Sequence, residues 1–163
     1  MPTEPAVGTP VESLRERKRR ETRAAIERSA ITLVDELGYE NVTVCCTIEN
    51  QQSADRKLPV FCSLPVRHRC ITAQPLLERV NLEPYLDGVE LVVVGGESDR
   101  NARSLDYDWV LDLRAQCIRK NVSFEFRQCG THFIKDGRRY TLQTRDLCRQ
   151  ARLAGINYTR KLP

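Results

Sequence analysis

Four short polar stretches each follow a run that reads as a β-strand: Glu49-Asn50, Gln74-Pro75, Gly95-Gly96-Glu97-Ser98 and Arg127-Gln128. In β/α folds, ligands sit at the carboxyl ends of the strands, so these four exits would share one rim. Gly95 and Gly96 would let a ligand approach the backbone, and their N–H groups could bind an anion or carboxylate. Glu97 could accept hydrogen bonds from an amine or a ribose hydroxyl. The bland alternative for Gly95-Gly96 is a simple turn. Arg103 could clamp an anion or cap a loop, and Trp109 reads most simply as core. The candidate small-molecule site is therefore Glu49, Asn50, Gly95, Gly96, Glu97 and Gln128.

Other catalytic signatures are missing. The sequence has no G-x-x-x-x-G-K-S/T loop, no G-x-G-x-x-G, no H-E-x-x-H and no G-x-S-x-G. No nucleophile and base can be paired. The seven cysteines (45, 46, 62, 70, 117, 129 and 148) include no C-x-x-C spacing. An odd number without an export signal argues against a disulfide framework, so they read as small, mostly buried hydrophobes. His68 and His132 lie far apart, with no ligand spacing around them. No metal site follows.

The elements that must hold this rim are legible from pattern. Residues 41–48 read as a strand, and a short helix is expected over 51–58, ending before Pro59. Residues 69–73 form a second strand. Leu91-Val92-Val93-Val94 is a continuous apolar run, as expected of a strand covered on both faces. A helix follows over 107–120, with Trp109, Val110, Leu113 and Cys117 on one face, and Asn121 can end it in the left-handed conformation. Residues 122–126 make a fourth strand. Asp136-Gly137 marks a hairpin between residues 133 and 140, and a last short helix is expected near 144–154. Strand and helix in alternation indicate a parallel β/α fold. Four strands cannot close an eight-stranded barrel, so residues 42–163 read as half a barrel or a small open parallel sheet.

The chain ahead of this region differs. Residues 1–12 are rich in Pro, Gly and Thr and read as a disordered leader. Residues 13–41 carry an amphipathic helix, with Ser13 and Glu16 as a capping box and Gly38 as terminator. Its front is basic: Arg15, Arg17, Lys18, Arg19, Arg20 and Arg23 could contact phosphates, or simply form a solvated face. Overall, 163 residues with 40% hydrophobic and 29% charged content suit one soluble domain, and the net charge of +4 permits nucleic-acid contact without requiring it. No apolar run is long enough to span a membrane, and a cytoplasmic location is expected.

Two resemblances follow from these residues. Arg19 to Ile26 and Glu36 to Val44 resemble the first helix of a TetR-type regulator, but no helix-turn-helix follows. Residues 42–163 are similar to the C-terminal half of a phage- and mobile-element-associated family of unknown function. Its full-length members resemble radical S-adenosylmethionine enzymes. The matching pieces are Thr47-Ile48-Glu49-Asn50-Gln51, Gln74-Pro75-Leu76-Leu77, Val92 to Ser98, Ala102-Arg103, Asp108-Trp109-Val110, Leu113 to Cys117 and Val122 to Gly137. That resemblance implies a radical chemistry whose [4Fe–4S] cluster needs a C-x3-C-x2-C motif, and this sequence has none. The sequence-level expectation is a truncated radical-SAM-like protein without independent catalysis, retaining at most a residual S-adenosylmethionine site near Gly95 to Glu97. The alternative is a DNA-associated regulator acting through the basic helix, and a third reading pairs the half-barrel with itself or another half. Asn41-Val42-Thr43-Val44 satisfies both resemblances and marks a seam, as an in-frame fusion or deletion would leave.

Overall fold

The computed structural model describes residues 16–18, 21 and 42–161. The chain divides into two compact units, Met1–Tyr39 and Glu40–Pro163. In the first, residues 16–18 and 21 are helical, and Arg17 pairs with Glu21 one turn on at 2.9 Å. The expected leader over 1–12 and most of the helix over 13–41 lie outside the described residues.

The second unit is α/β, built on an open sheet of four parallel strands. These are β1 (Thr43–Ile48), β2 (His68–Ala73), β3 (Leu91–Gly95) and, after the two-residue β4 (Leu105–Asp106), β5 (Ser123–Gln128), in the order β1-β2-β3-β5. Helix α1 (Gln51–Ser63) links β1 to β2, and α2 (Tyr107–Arg119) precedes β5. No barrel closes. Among the described residues, no helix is long and apolar enough to cross a membrane.

Pleating sorts the strand residues to two faces. Ile48, Ile71, Ala73, Val92, Val94, Phe124 and Phe126 join one core cluster with Ala54, Leu58 and Phe61 of α1 and Val110, Leu113 and Cys117 of α2. Both helices therefore cover the same face. The opposite face carries two registered rows, Cys45-Cys70-Leu91-Ser123 and Thr47-Thr72-Val93-Glu125. Its outer positions, Cys45 and Thr47, are exposed. The apolar run of β3 thus answers to two different surroundings: Val92 and Val94 meet the helices, while Val93 is buried among its neighbours on the other face.

Several sequence expectations hold, and the bounds of two helices do not. Helix α1 runs through Pro59 to Ser63. Pro59 is exposed, so water can satisfy the Asp55 carbonyl that its ring leaves without a donor. Leu58 and Phe61, on the packed face either side of it, hold the helical path. Asn121 adopts φ 52° and closes α2 as expected, with Val122 N–H returning to the Cys117 carbonyl at 2.8 Å. The hairpin is β6 (His132–Lys135) and β7 (Arg138–Thr141), and Asp136 and Gly137 both have positive φ, as a two-residue primed turn requires. The last helix, α3, is shorter than expected (Leu147–Leu153) and follows a 3-10 turn at Thr144–Asp146.

The sheet's β5 edge is closed by the chain's own tail. Phe124 and Tyr158 exchange backbone hydrogen bonds of 2.7 and 2.9 Å, and the Asn157 side chain accepts from Phe126 N–H at 2.9 Å. Asn121 completes the join, its amide donating to the Lys161 carbonyl and its oxygen accepting from Tyr158 Oη and Lys161 N–H. A strand edge left open is a template for pairing, and this tail removes that template at β5.

Candidate functional site

The strand exits do assemble on one rim, and the reason lies in the register. Between Val94 and Gly95 the β3–β5 ladder slips by one residue, which sets Gly95 opposite Gln128 rather than Arg127. Gln128 Nε2 then donates to the Gly96 carbonyl at 2.6 Å, and Gly96 N–H donates to the Gln128 carbonyl at 3.1 Å. Gln74, leaving β2 through a cis peptide to Pro75, lies across Gly95: a Cβ there would stand 2.9 Å from Gln74 Cδ. Gly96 is tighter still. Its Cβ would meet the Cys129 carbonyl at 2.8 Å and Gly130 Cα at 2.9 Å. Close packing of the rim against backbone therefore requires glycine at 96, whereas at 95 the neighbours are side chains.

Glu97 is held in the same manner. Its carboxylate accepts from Arg103 N–H at 2.6 Å, from Nε at 3.1 Å, and from one terminal nitrogen of the same guanidinium. These hydrogen bonds, the side-chain ones first, hold the Glu97 carboxyl below its usual range and raise Arg103 in turn. The Glu97 carbonyl accepts from Thr131 N–H at 2.7 Å. Arg103 thus clamps a carboxylate of its own chain.

At the β1 exit, Asn50 is the N-cap of α1. Its Oδ1 accepts from Ser53 N–H at 2.8 Å, and Ser53 Oγ accepts from Asn50 and Glu49 N–H groups at 3.1 and 2.9 Å. This capping box gives Asn50 a structural role. Glu49 is exposed, and its carbonyl accepts from Leu77 N–H at 2.9 Å. Its negative charge also acts on Arg103.

Of the six candidate residues, then, Gly95, Gly96, Glu97 and Gln128 are brought together, with Glu49 beside them and Asn50 turned to the helix. The Gly96 amide proposed for an anion is already engaged within the sheet. Gln74, flagged only as a strand exit, belongs to the cluster; its place over Gly95 depends on strand order, which spacing does not reveal. Trp109 is half-buried against the core. Of the basic helix, Arg15, Arg19, Arg20 and Arg23 lie outside the described residues, Arg17 is paired with Glu21, and Lys18 is exposed.

Among the described residues, no group of three or more His, Cys, Asp or Glu side chains could hold a metal ion. Of the seven free cysteines, Cys70, Cys117 and Cys129 are buried, Cys46 and Cys62 are half-buried, and Cys45 and Cys148 are exposed. Burial pushes the thiols of Cys117 and Cys129 up to about 12, and chiefly burial pushes Cys70 up to about 11, so these sulfurs resist becoming thiolates.

A family model described as a protein of unknown function (DUF5131) matches residues 13–158, a span that includes positions 42–44. No curated protein and no solved structure matches the chain.

Proposed function

The chain belongs to the DUF5131 family of proteins of unknown function, and from that premise we propose that it is a radical-SAM-like β/α protein that performs no radical chemistry by itself. The resemblance of Val92 to Ser98 and its neighbours to that class gives the reading its frame. One observation carries the conclusion: the rim's polar groups satisfy one another. Gln128 and Gly96 are mutually hydrogen-bonded, and Glu97 is held by Arg103.

S-adenosylmethionine would present an amine and a carboxylate at such a rim. The amine would have to displace the Arg103 guanidinium from Glu97, and the carboxylate would have to compete for the Gly96 N–H. Within the Gly95–Glu97 turn neither group finds a ready partner, so the residues of that turn do not fit the cofactor well. The iron–sulfur cluster fits no better, because the C-x3-C-x2-C spacing is missing from the sequence. Titration calorimetry of the full chain with S-adenosylmethionine tests this reading. No saturable heat is expected at millimolar ligand. Saturable binding that is lost in Glu97→Gln would overturn it.

A further inference from the structure

The described C-terminal stretch has a charge balance unlike the rest. Residues 127–161 carry nine basic side chains against two acidic, whereas residues 42–126 carry ten basic against twelve acidic. The modest net charge of the whole chain conceals this concentration. The same stretch borders a cavity of about 420 Å³ between the β6–β7 hairpin and α3, within the range of roughly 300–1,000 Å³ common for small-ligand sites.

From this coincidence we propose that the hairpin and α3 bind single-stranded nucleic acid, with one base entering the aromatic cavity and the flanking phosphates resting on arginines. Opposed residues of an antiparallel pair point to the same side. Phe133 faces Tyr140, and Lys135 faces Arg138. Phe133, Lys135 and Tyr140 line the cavity, so Arg138 stands at its mouth. Inside, Tyr107 meets Phe133 edge-on with centroids 5.6 Å apart, and the Lys135 ammonium sits 5.4 Å from the Tyr107 ring centre. Tyr140 is 43% exposed, a ring held at the surface with a face to offer. Gln150, on the α3 wall, supplies an amide that can both donate to and accept from a base edge.

The segments that line the cavity also carry exposed arginines. Arg145 and Arg149 lean on Asp146 at 3.9 and 3.8 Å. Exposed Arg138, on the cavity side of the hairpin, has no such carboxylate partner among the described residues. A small aromatic acid would use the cavity and Lys135 but leave these arginines without a role. A duplex would use the arginines but keep its bases stacked and out of the cavity. An unpaired strand engages both, because stacking on aromatic rings and phosphate neutralisation are the two general terms of single-strand binding.

Fluorescence anisotropy of the full chain with labelled twelve-nucleotide oligo-U, oligo-dT and a duplex of the same length tests the proposal. Both single strands should bind more tightly than the duplex, and the tighter of the two identifies the preferred sugar. Arg138→Glu with Arg149→Glu should weaken binding at least tenfold and lower the slope of log affinity against log salt by about 1.4, for two phosphates at about 0.7 each. Tyr140→Ala should weaken single-strand binding by roughly 5- to 100-fold, the range for loss of one stacked base, without changing that slope. All three side chains are exposed, so circular dichroism should match the parent. Equal affinity for duplex together with indifference to Tyr140→Ala would overturn the proposal, as would no binding at about 50 mM salt.

Discussion

Gln128 and Gly96 bind each other twice: the Gln128 side-chain amide donates to the Gly96 carbonyl at 2.6 Å, and Gly96 N–H donates to the Gln128 carbonyl at 3.1 Å. This reciprocal pair fastens the exit of β3 to the exit of β5. It also leaves the turn after β3 with little freedom to receive a ligand, because the backbone that would face it is already held from both sides.

The two glycines of that turn should respond unequally to an added methyl. At Gly96 the new Cβ meets backbone atoms, the Cys129 carbonyl at 2.8 Å and Gly130 Cα at 2.9 Å. At Gly95 it meets only side chains of Gln74 and Gln128, which can shift. Gly96→Ala should cost about 1–3 kcal/mol, the range for overpacking, and Gly95→Ala less. Urea midpoints of the two variants check the order, and equal losses would contradict the packing account.

Gln116 is the buried polar side chain of α2 that holds residues 80–83, which lead into a 3-10 turn at Glu83–Tyr85. Its Oε1 accepts from Leu82 N–H at 2.7 Å and Glu83 N–H at 3.1 Å, while Nε2 donates to the Val80 carbonyl at 2.9 Å. Gln116→Leu keeps the bulk but strands the Leu82 donor and the Val80 acceptor. A loss of about 2–4 kcal/mol is expected, given roughly 1–3 kcal/mol for each buried group left unsatisfied. Denaturant unfolding within 0.5 kcal/mol of the parent would show that water or a shift of this segment takes over.

Acid should weaken the fold through Glu97 and Glu90. Hydrogen bonds from Arg103 lower Glu97; for Glu90, burial acts upward but is outweighed by hydrogen bonds from His68 and Arg160. A carboxylate lowered on folding binds fewer protons in the folded than in the unfolded chain. Its contribution is therefore full above the unfolded pKa of about 4.3 and is lost as pH falls through the lower folded value. Glu97→Gln should reduce stability near pH 7, and its difference from the parent should shrink in acid below about pH 4. A difference that stays constant down to pH 3 would assign Glu97 a role unrelated to its charge.

Thiol chemistry should follow burial. Exposed Cys45 and Cys148 should react first with an aromatic disulfide reagent at pH 8, and Cys46 and Cys62 more slowly. Cys117 and Cys129, both pushed up to about 12, should react only when the protein unfolds. Peptide mapping after a short pulse distinguishes them, and early labelling of Cys117 would contradict the core packing.

Much of this fold is legible in the sequence where one short segment decides the outcome. The Leu91 to Val94 run, the Asp136-Gly137 turn and the left-handed Asn121 are each local. What escapes pattern reading depends on partners distant in the chain. Pro59 signals a helix end, yet burial of Phe61 beyond it carries the helix on. The pairing of Gln128 with Gly96, 32 residues apart, rests on a one-residue register slip. The tail at Tyr158 covers β5 through backbone groups, which side-chain identity does not announce. The rim was thus readable as a place, while the mutual satisfaction of its polar groups was not.

The central claim is that this chain performs no radical chemistry by itself. Anaerobic reconstitution of the purified full chain with iron and sulfide, followed by incubation with reductant and S-adenosylmethionine, tests it most directly. The account predicts a desalted protein without iron–sulfur absorption in the visible range and no 5′-deoxyadenosine by chromatography. A stable brown protein that releases 5′-deoxyadenosine in proportion to its bound iron would contradict it.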